Sequence, residues 1–404
     1  MAQAQMSCRV LLPLMALWAT LLLGACSTSQ ARAAGGTSAP DAPEASAPQA
    51  ESLDQLLSQD DFDLPRSLLL FSREYAAEFG VEPPESVDAW QERFARYTSE
   101  LKRDLKRDAT PRARLLTLIE FVHGKLGLRF DSADMQGHDP QNLFFDNVIT
   151  RRQGYCVTLS LAYIVFGQAA GLEVYGVRIP GHFAVQFKDF SGEEKFTALV
   201  ESTAQGSLLD ELEVSARHRF SAQSVEAGCY LTPLTDRQIL AVMYNNLAGL
   251  THLRGDSAKA LDRYNRSLEL GPNNPEALYN RALIQRNLNL AQPALRDLNA
   301  AIRLDPNFTL ALLARAGLLF EAGETEAGRQ DLALALRQRP EWPQPHLLEG
   351  TLAASEGRLE DARAAFERAL QRDPMSKDAH KALAQVERKL GNHQKAAEHE
   401  AAAR

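Results

Sequence analysis

The chain has 404 residues, room for two or three domains at about 150 residues each. Apolar residues make up 45% and charged residues 24%, so the core is large enough to need no metal or disulfide staple. With 44 basic and 52 acidic residues the net charge is -8. That argues against nucleic acid or an anionic membrane surface as main partner, since both require clustered positive charge. Four cysteines exclude a disulfide-dense scaffold.

The N-terminus reads as an address. After Arg9 comes the apolar run VLLPLMALWATLLL (10–23), too short for a transmembrane helix of about 20 residues. Leu23-Gly24-Ala25-Cys26 follows and resembles the bacterial lipoprotein lipobox, cleaved before the cysteine. The resemblance implies a signal peptide over 1–25 and lipidation of Cys26. Ser27 in place of Asp implies the outer membrane, with the protein facing the periplasm. No later run reaches 18 apolar residues, so the lipid is the only membrane attachment expected. Cleavage removes one Arg and no acid, taking the charge from -8 to -9. Residues 27–50 are rich in Ala, Pro, Ser and Gly, without Leu, Ile, Val or aromatics, so 26–51 reads as a flexible tether.

From residue 52 to about 130 the pattern is helical. One segment stops at Gly80 before Pro83-Pro84; another starts from Ser86 as N-cap. Val87, Trp90, Phe94, Tyr97 and Leu101 make its buried stripe. After Pro111 a further helix points Leu115, Leu116, Leu118, Ile119 and Val122 inward, while the charged run from Lys102 to Arg112 is a solvated face. A loop with Gly137, Asp139 and Pro140 leads to the apolar helix 154–172, ended by Gly171. Three strand patterns follow, at 174–179, 183–187 and 195–202, separated by Pro180-Gly181 and the turn DFSGEE. They predict an antiparallel meander, hence an α+β domain over 52–235.

Residues 241–404 repeat. Pro272, Pro306, Pro340 and Pro374 lie 34 apart. Small residues recur in phase at Ala248, Ala282, Ala316, Gly350 and Ala384, and again at Ala260, Ala294, Gly328, Ala362 and Ala396. Gly255, Gly323, Gly357 and Gly391 mark a turn, with Asn289 once in that place. This resembles the tetratricopeptide repeat, a helix-turn-helix of 34 residues. It implies four full repeats and one partial, stacked into an all-α solenoid. By the same resemblance the first helix of each repeat lines a groove for a protein or peptide partner, here through Asn245, His252, Tyr279, Arg286, Leu313, Phe320 and Leu347.

Cys156 stands where a loop gives way to an apolar helix. There the positive helix end and unpaired N–H groups favour a thiolate nucleophile. Such a nucleophile needs an imidazole, and the imidazole a carboxylate. His182 at a strand mouth and Glu201 near the end of the next strand fall at one end of the sheet if the strands pair. A cysteine beside Val157 and Leu159, as Cys156 is, is most often a small buried hydrophobe. A Cys156–Cys229 disulfide and a zinc site of Cys156, His182 and Cys229 are two further readings.

The stretch NVITRRQGYCVTLSLAYIVFGQAAGLEVYGVRIPGHFAVQF, with DPQN before it and LVESTAQG after, resembles the transglutaminase-like superfamily. The resemblance implies Cys156 as nucleophile, His182 as general base and acid, and Glu201 as orienting carboxylate. Family members commonly carry Asp where Glu201 stands. No cofactor is expected, since no Walker loop, Rossmann fingerprint, EF-hand loop or H-E-x-x-H occurs. The sequence thus predicts an envelope lipoprotein with a cysteine acyl-transfer or peptidase-type domain and a partner-binding solenoid. The alternative is a non-catalytic scaffold binding partners through the repeats.

Overall fold

A computed structural model describes residues 52–59, 62–106, 109–191 and 195–404; the signal, lipobox and tether assignments, Cys26 included, lie outside them. Helix α6 (Cys156–Ala169) organises the front half. Cys156 to Gly167 are all buried in it, so it is apolar on every side and needs neighbours all round. An antiparallel sheet supplies most of them, together with α3 (Val87–Asp104), α4 (Pro111–Glu120) and α5 (Phe145–Arg151), while α1 (Leu53–Leu57) and α2 (Leu64–Tyr75) extend the same core. Phe166 sits among Phe94, Tyr97 and Phe121, with ring centroids 5.1 to 6.0 Å away. The Ser86 hydroxyl accepts from the Ala89 N–H, as an N-cap should. Leu116, expected inward, is 55% exposed. Leu115 and Leu118 already fill the inward stripe of α4, and Leu116 is turned about 100° per residue away from it.

The sheet runs in the order β3-β4-β5-β6, all antiparallel: β3 (Glu173–Ile179), β4 (His182–Asp189), β5 (Phe196–Glu201) and β6 (Ser207–Leu209). Side chains alternate between its faces. Phe183, Val185, Phe187 and Val200 join the α6 core. Ala184 and Leu199 face Val214 of α7 (Glu211–His218) on the other side. The meander is as expected. Beyond it lie β6, helices α7 and α8 (Ala222–Glu226), and a two-residue parallel pair, β1 (Arg129–Phe130) with β2 (Gln153–Gly154).

Ten helices follow in five pairs: α9 (Asp236–Leu253) and α10 (Ser257–Leu270); α11 (Pro275–Asn287) and α12 (Ala291–Leu304); α13 (Thr309–Glu321) and α14 (Thr325–Gln338); α15 (Pro343–Ser355) and α16 (Leu359–Arg372); α17 (Lys377–Lys389) and α18 (His393–Ala402). The turn positions hold left-handed backbone, with φ of 77° to 89° at the four glycines and 60° at Asn289, a residue type that tolerates it. The small positions are close-packed: a Cβ on Gly350 would stand 2.6 Å from the Phe366 ring. Helix α9 starts before the periodic pattern, and its Leu240, Met243, Leu247 and Leu250 belong to the same core as α6. The solenoid is therefore joined to the front half through a shared core. Three residues expected to line the groove, Asn245, Tyr279 and Leu313, are buried, because neighbouring elements pack over them. His252, Arg286, Phe320 and Leu347 remain partly exposed.

Candidate active site

Cys156 opens α6. Ahead of it, Gly154 is required by crowding: a Cβ there would stand 2.8 Å from both Thr158 Oγ1 and Val148 Cγ1. Thr158 Oγ1 donates to the Asn142 carbonyl at 2.9 Å, so the DPQN loop is fastened to the helix start. Asn142, fully buried, donates to both Asp131 and Asp134 at 3.0 Å. This motif shapes the loop around the cysteine and brings no further reactive group to it.

His182 is the first residue of β4 and faces Ile179 across the two-residue turn Pro180-Gly181, where Gly181 has φ 68°. Glu201 ends β5. The structure brings these two together: His182 Nε2 lies 2.6 Å from Glu201 Oε2. Glu201 Oε1 accepts from the Thr203 N–H at 3.0 Å and from its hydroxyl at 2.6 Å. The carboxylate is thus locked, and its orientation leaves Nδ1 as the imidazole nitrogen directed away from it. Burial pushes the Glu201 carboxyl up, but His182 and Thr203 outweigh this and hold it below the usual carboxylate range. The next residue links the carboxylate strand to Cys156. Ser202 Oγ donates to the Cys156 carbonyl at 3.2 Å and lies 2.9 Å from Ser160 Oγ. Since Ser202 spends its proton on that carbonyl, Ser160 is the donor of the second bond. The sequence pattern does not single out Ser202 or Ser160. Ser160 is one turn after Cys156 and Ser202 is next to Glu201, and that spacing is the only signal they carry.

All three side chains are enclosed. Cys156 is 0% exposed, and the His182 and Glu201 side chains 11% and 14%. Cys229 and Cys156 are both unbridged, so the disulfide reading fails here. Burial pushes the Cys229 thiol up to about 11, and Arg178 and Glu276 are charged groups that act on it. Among the described residues no group of three or more His, Cys, Asp and Glu side chains could hold a metal ion.

Residues 88–245 match the transglutaminase-like superfamily, and 254–307 with 347–404 match the tetratricopeptide repeat. The chain carries a transglutaminase-like domain followed by tetratricopeptide repeats. A curated relative, the "UPF0162 protein" of Xylella fastidiosa (strain Temecula1), is 28% identical over 193 residues. The match covers 46% of this chain and 66% of that protein. Two solved structures are similar to part of this chain. TTC0263, a thermophilic tetratricopeptide repeat protein of Thermus thermophilus, is 24% identical, covering 40% of this chain and 89% of its own at a TM-score of 0.37. MamA of Desulfovibrio magneticus RS-1 is 23% identical, covering 40% and 92% at 0.34. The transglutaminase-like match includes most of α9 up to Asn245, the helix that shares the front core.

Proposed function

We propose that the transglutaminase-like domain performs acyl transfer through a thioester on Cys156, and that the repeats hold the protein partner or substrate. The observation that carries the reading is the His182–Glu201 pair, bonded at 2.6 Å at a strand end that is tied to the start of α6. Glu201 orients His182, and Ser202, beside Glu201, is bonded to Cys156. In the reaction the Cys156 sulfur attacks an amide carbonyl carbon while His182 takes the thiol proton. The C–N bond then breaks, and His182 returns the proton to the leaving amine. Water or a second amine attacks the thioester and regenerates the thiol. The Cys156 backbone N–H, at the helix start, is the donor for the developing oxyanion. The test is alkylation of the full chain by iodoacetamide near neutral pH. Cys156 reacts faster than an unperturbed thiol, and His182→Ala slows it. Equal rates in both proteins, matching free cysteine, sink the catalytic reading. A Cys156→Ser chain is then the trap for the substrate.

The lipid anchor belongs to the same proposal and rests on the LGAC motif alone. The full chain partitions into detergent from bacterial envelopes, and Cys26→Ala leaves it in the aqueous phase; equal partitioning of both removes the anchor. A second reading, a non-catalytic scaffold, is favoured by the complete burial of Cys156. It predicts that Cys156→Ser leaves partner capture and cellular phenotype unchanged.

A further inference from the structure

Two lines of hydrogen bonds run from the solenoid to the residues immediately before Cys156 and His182. The first crosses a row of buried amides. Asn280 Nδ2 on α11 donates to Asn245 Oδ1 at 3.3 Å, Asn245 Nδ2 to Asn246 Oδ1 at 3.4 Å, and Asn246 Nδ2 to the Tyr155 hydroxyl at 3.2 Å. Tyr155 is the residue before the cysteine. The second line is one bond: the Gly181 N–H donates to Glu276 Oε1, in the first turn of α11, at 2.6 Å. Gly181 is the residue before the histidine. Strand β3, which enters that turn, is tied to the same place. Buried Arg178 donates to the Asn273 carbonyl, between α10 and α11, at 2.8 Å, and to the Gly228 carbonyl at 3.1 Å.

We propose that the first two repeats are part of the catalytic machinery, with Asn246 and Glu276 as positioning residues that fix the approach of His182 to Cys156. The inference rests on the reading of those two side chains as the reacting pair. The physical ground is that the thiol and the imidazole sit on different elements. One follows a loop, and the other follows a two-residue turn with few neighbours within its own sheet. Besides the Ser202 bond to the Cys156 carbonyl, the separation of the pair depends on how firmly those two segments are held. A displacement of about 1 Å between reacting groups costs on the order of 100-fold in rate. The solenoid supplies one fixed point on each side. The ionisable groups around His182 include Glu201 of β5, His218 of α7 and Glu276 of α11. Around Glu276 itself stand Arg178, Asp305 and His182.

The experiment titrates the Cys156 thiolate by its ultraviolet absorbance in the full chain, as the difference between each protein and its Cys156→Ser counterpart. The unmodified chain keeps its thiolate into the acid range, and His182→Ala loses it there. Glu276→Ala moves the titration up by about one pH unit or more, because the imidazolium partner is no longer held in place. Glu276→Gln keeps an acceptor for the Gly181 N–H and titrates like the unmodified chain. A residue that merely supports the fold lowers the melting temperature without moving this titration, so thermal melts accompany each variant. Asn246→Ala shifts the titration in the same direction through the other line and serves if Glu276→Ala does not fold. Folded Glu276→Ala and Asn246→Ala chains that titrate like the unmodified one, while His182→Ala does not, overturn the positioning role and leave the proposed chemistry standing. No acid-range thiolate in the unmodified chain, and no effect of His182→Ala, overturns both.

Discussion

The front half and the solenoid solve the same burial problem in different ways. The front half has one continuous core that runs from Leu53 through α6 and the sheet to Leu250 of α9. The solenoid has a series of small cores, each shared by neighbouring repeats. Between them it repeats a polar unit. Arg281 makes two bonds of 2.7 Å to Asp297 and one of 2.9 Å to Asn265. One repeat further on, Arg315 binds Asp331 and Asn299 in the same pattern. The difference teaches where damage travels. A fault in a continuous core is felt throughout it, whereas a fault in a stacked array stays near its repeat until the interface fails.

Four measurements test that contrast. The largest effect is expected for Phe166→Ala, which empties a fully buried aromatic site and costs about 3–5 kcal/mol. Hydrogen exchange then rises across the whole front half and α9, while α13 to α18 keep their protection. A change confined to α3 and α6 breaks the idea of one core. Next is Arg315→Ala, which strands buried Asp331 and costs about 1–3 kcal/mol. Exchange rises in α13 and α14 and leaves α6 unchanged, and a uniform rise along the chain erases the distinction.

The third concerns the seam between the regions. Burial, with the His182 and Arg217 charges, pulls the His218 imidazole down to about 4, against the pull of the Pro180 carbonyl. Its folded value thus lies below the 6.5 of an ordinary histidine. The unfolded chain binds the extra proton between those values, so this stabilisation is complete above pH 6.5 and is lost as pH falls toward 4. With partial exposure discounted, the loss is on the order of 1 kcal/mol. Urea melts at about pH 7 and pH 5, on either side of the ordinary histidine value, read it, and His218→Asn reduces the difference. An unchanged difference removes His218 from the seam. The smallest effect is Leu116→Ala, exposed on α4, expected within about 0.5 kcal/mol in thermal melts; a loss of several kcal/mol restores its inward position.

Legibility in the sequence followed how local the cause was. Pro272, Gly255 and Asn289 each act on their own backbone, so their spacing revealed the repeats directly. The strands that carry His182 and Glu201 were legible from alternation and turn residues, because both are short-range signals. Strand β6 pairs only three residues with β5 and leaves no period to detect. The groove assignment failed at Asn245, Tyr279 and Leu313 for a related reason: periodicity gives the face of a helix but not what lies against that face.

What the sequence determined by itself was a division into a cysteine-bearing α+β half and a stacked helical half, with three candidate side chains, Cys156, His182 and Glu201, placed at element ends. Those features come from helix and strand periods, turn chemistry and capping, all of which operate within a few residues. Tertiary structure alone decided which nitrogen of His182 meets Glu201, and that Ser202 fastens the carboxylate strand to the cysteine helix. It alone decided that Asn246 and Glu276 reach across to Tyr155 and Gly181. These pairs are joined over 91 and 95 residues of chain. A hydrogen bond formed at that separation depends on where two packed bodies come to rest, and no local pattern in either segment records it.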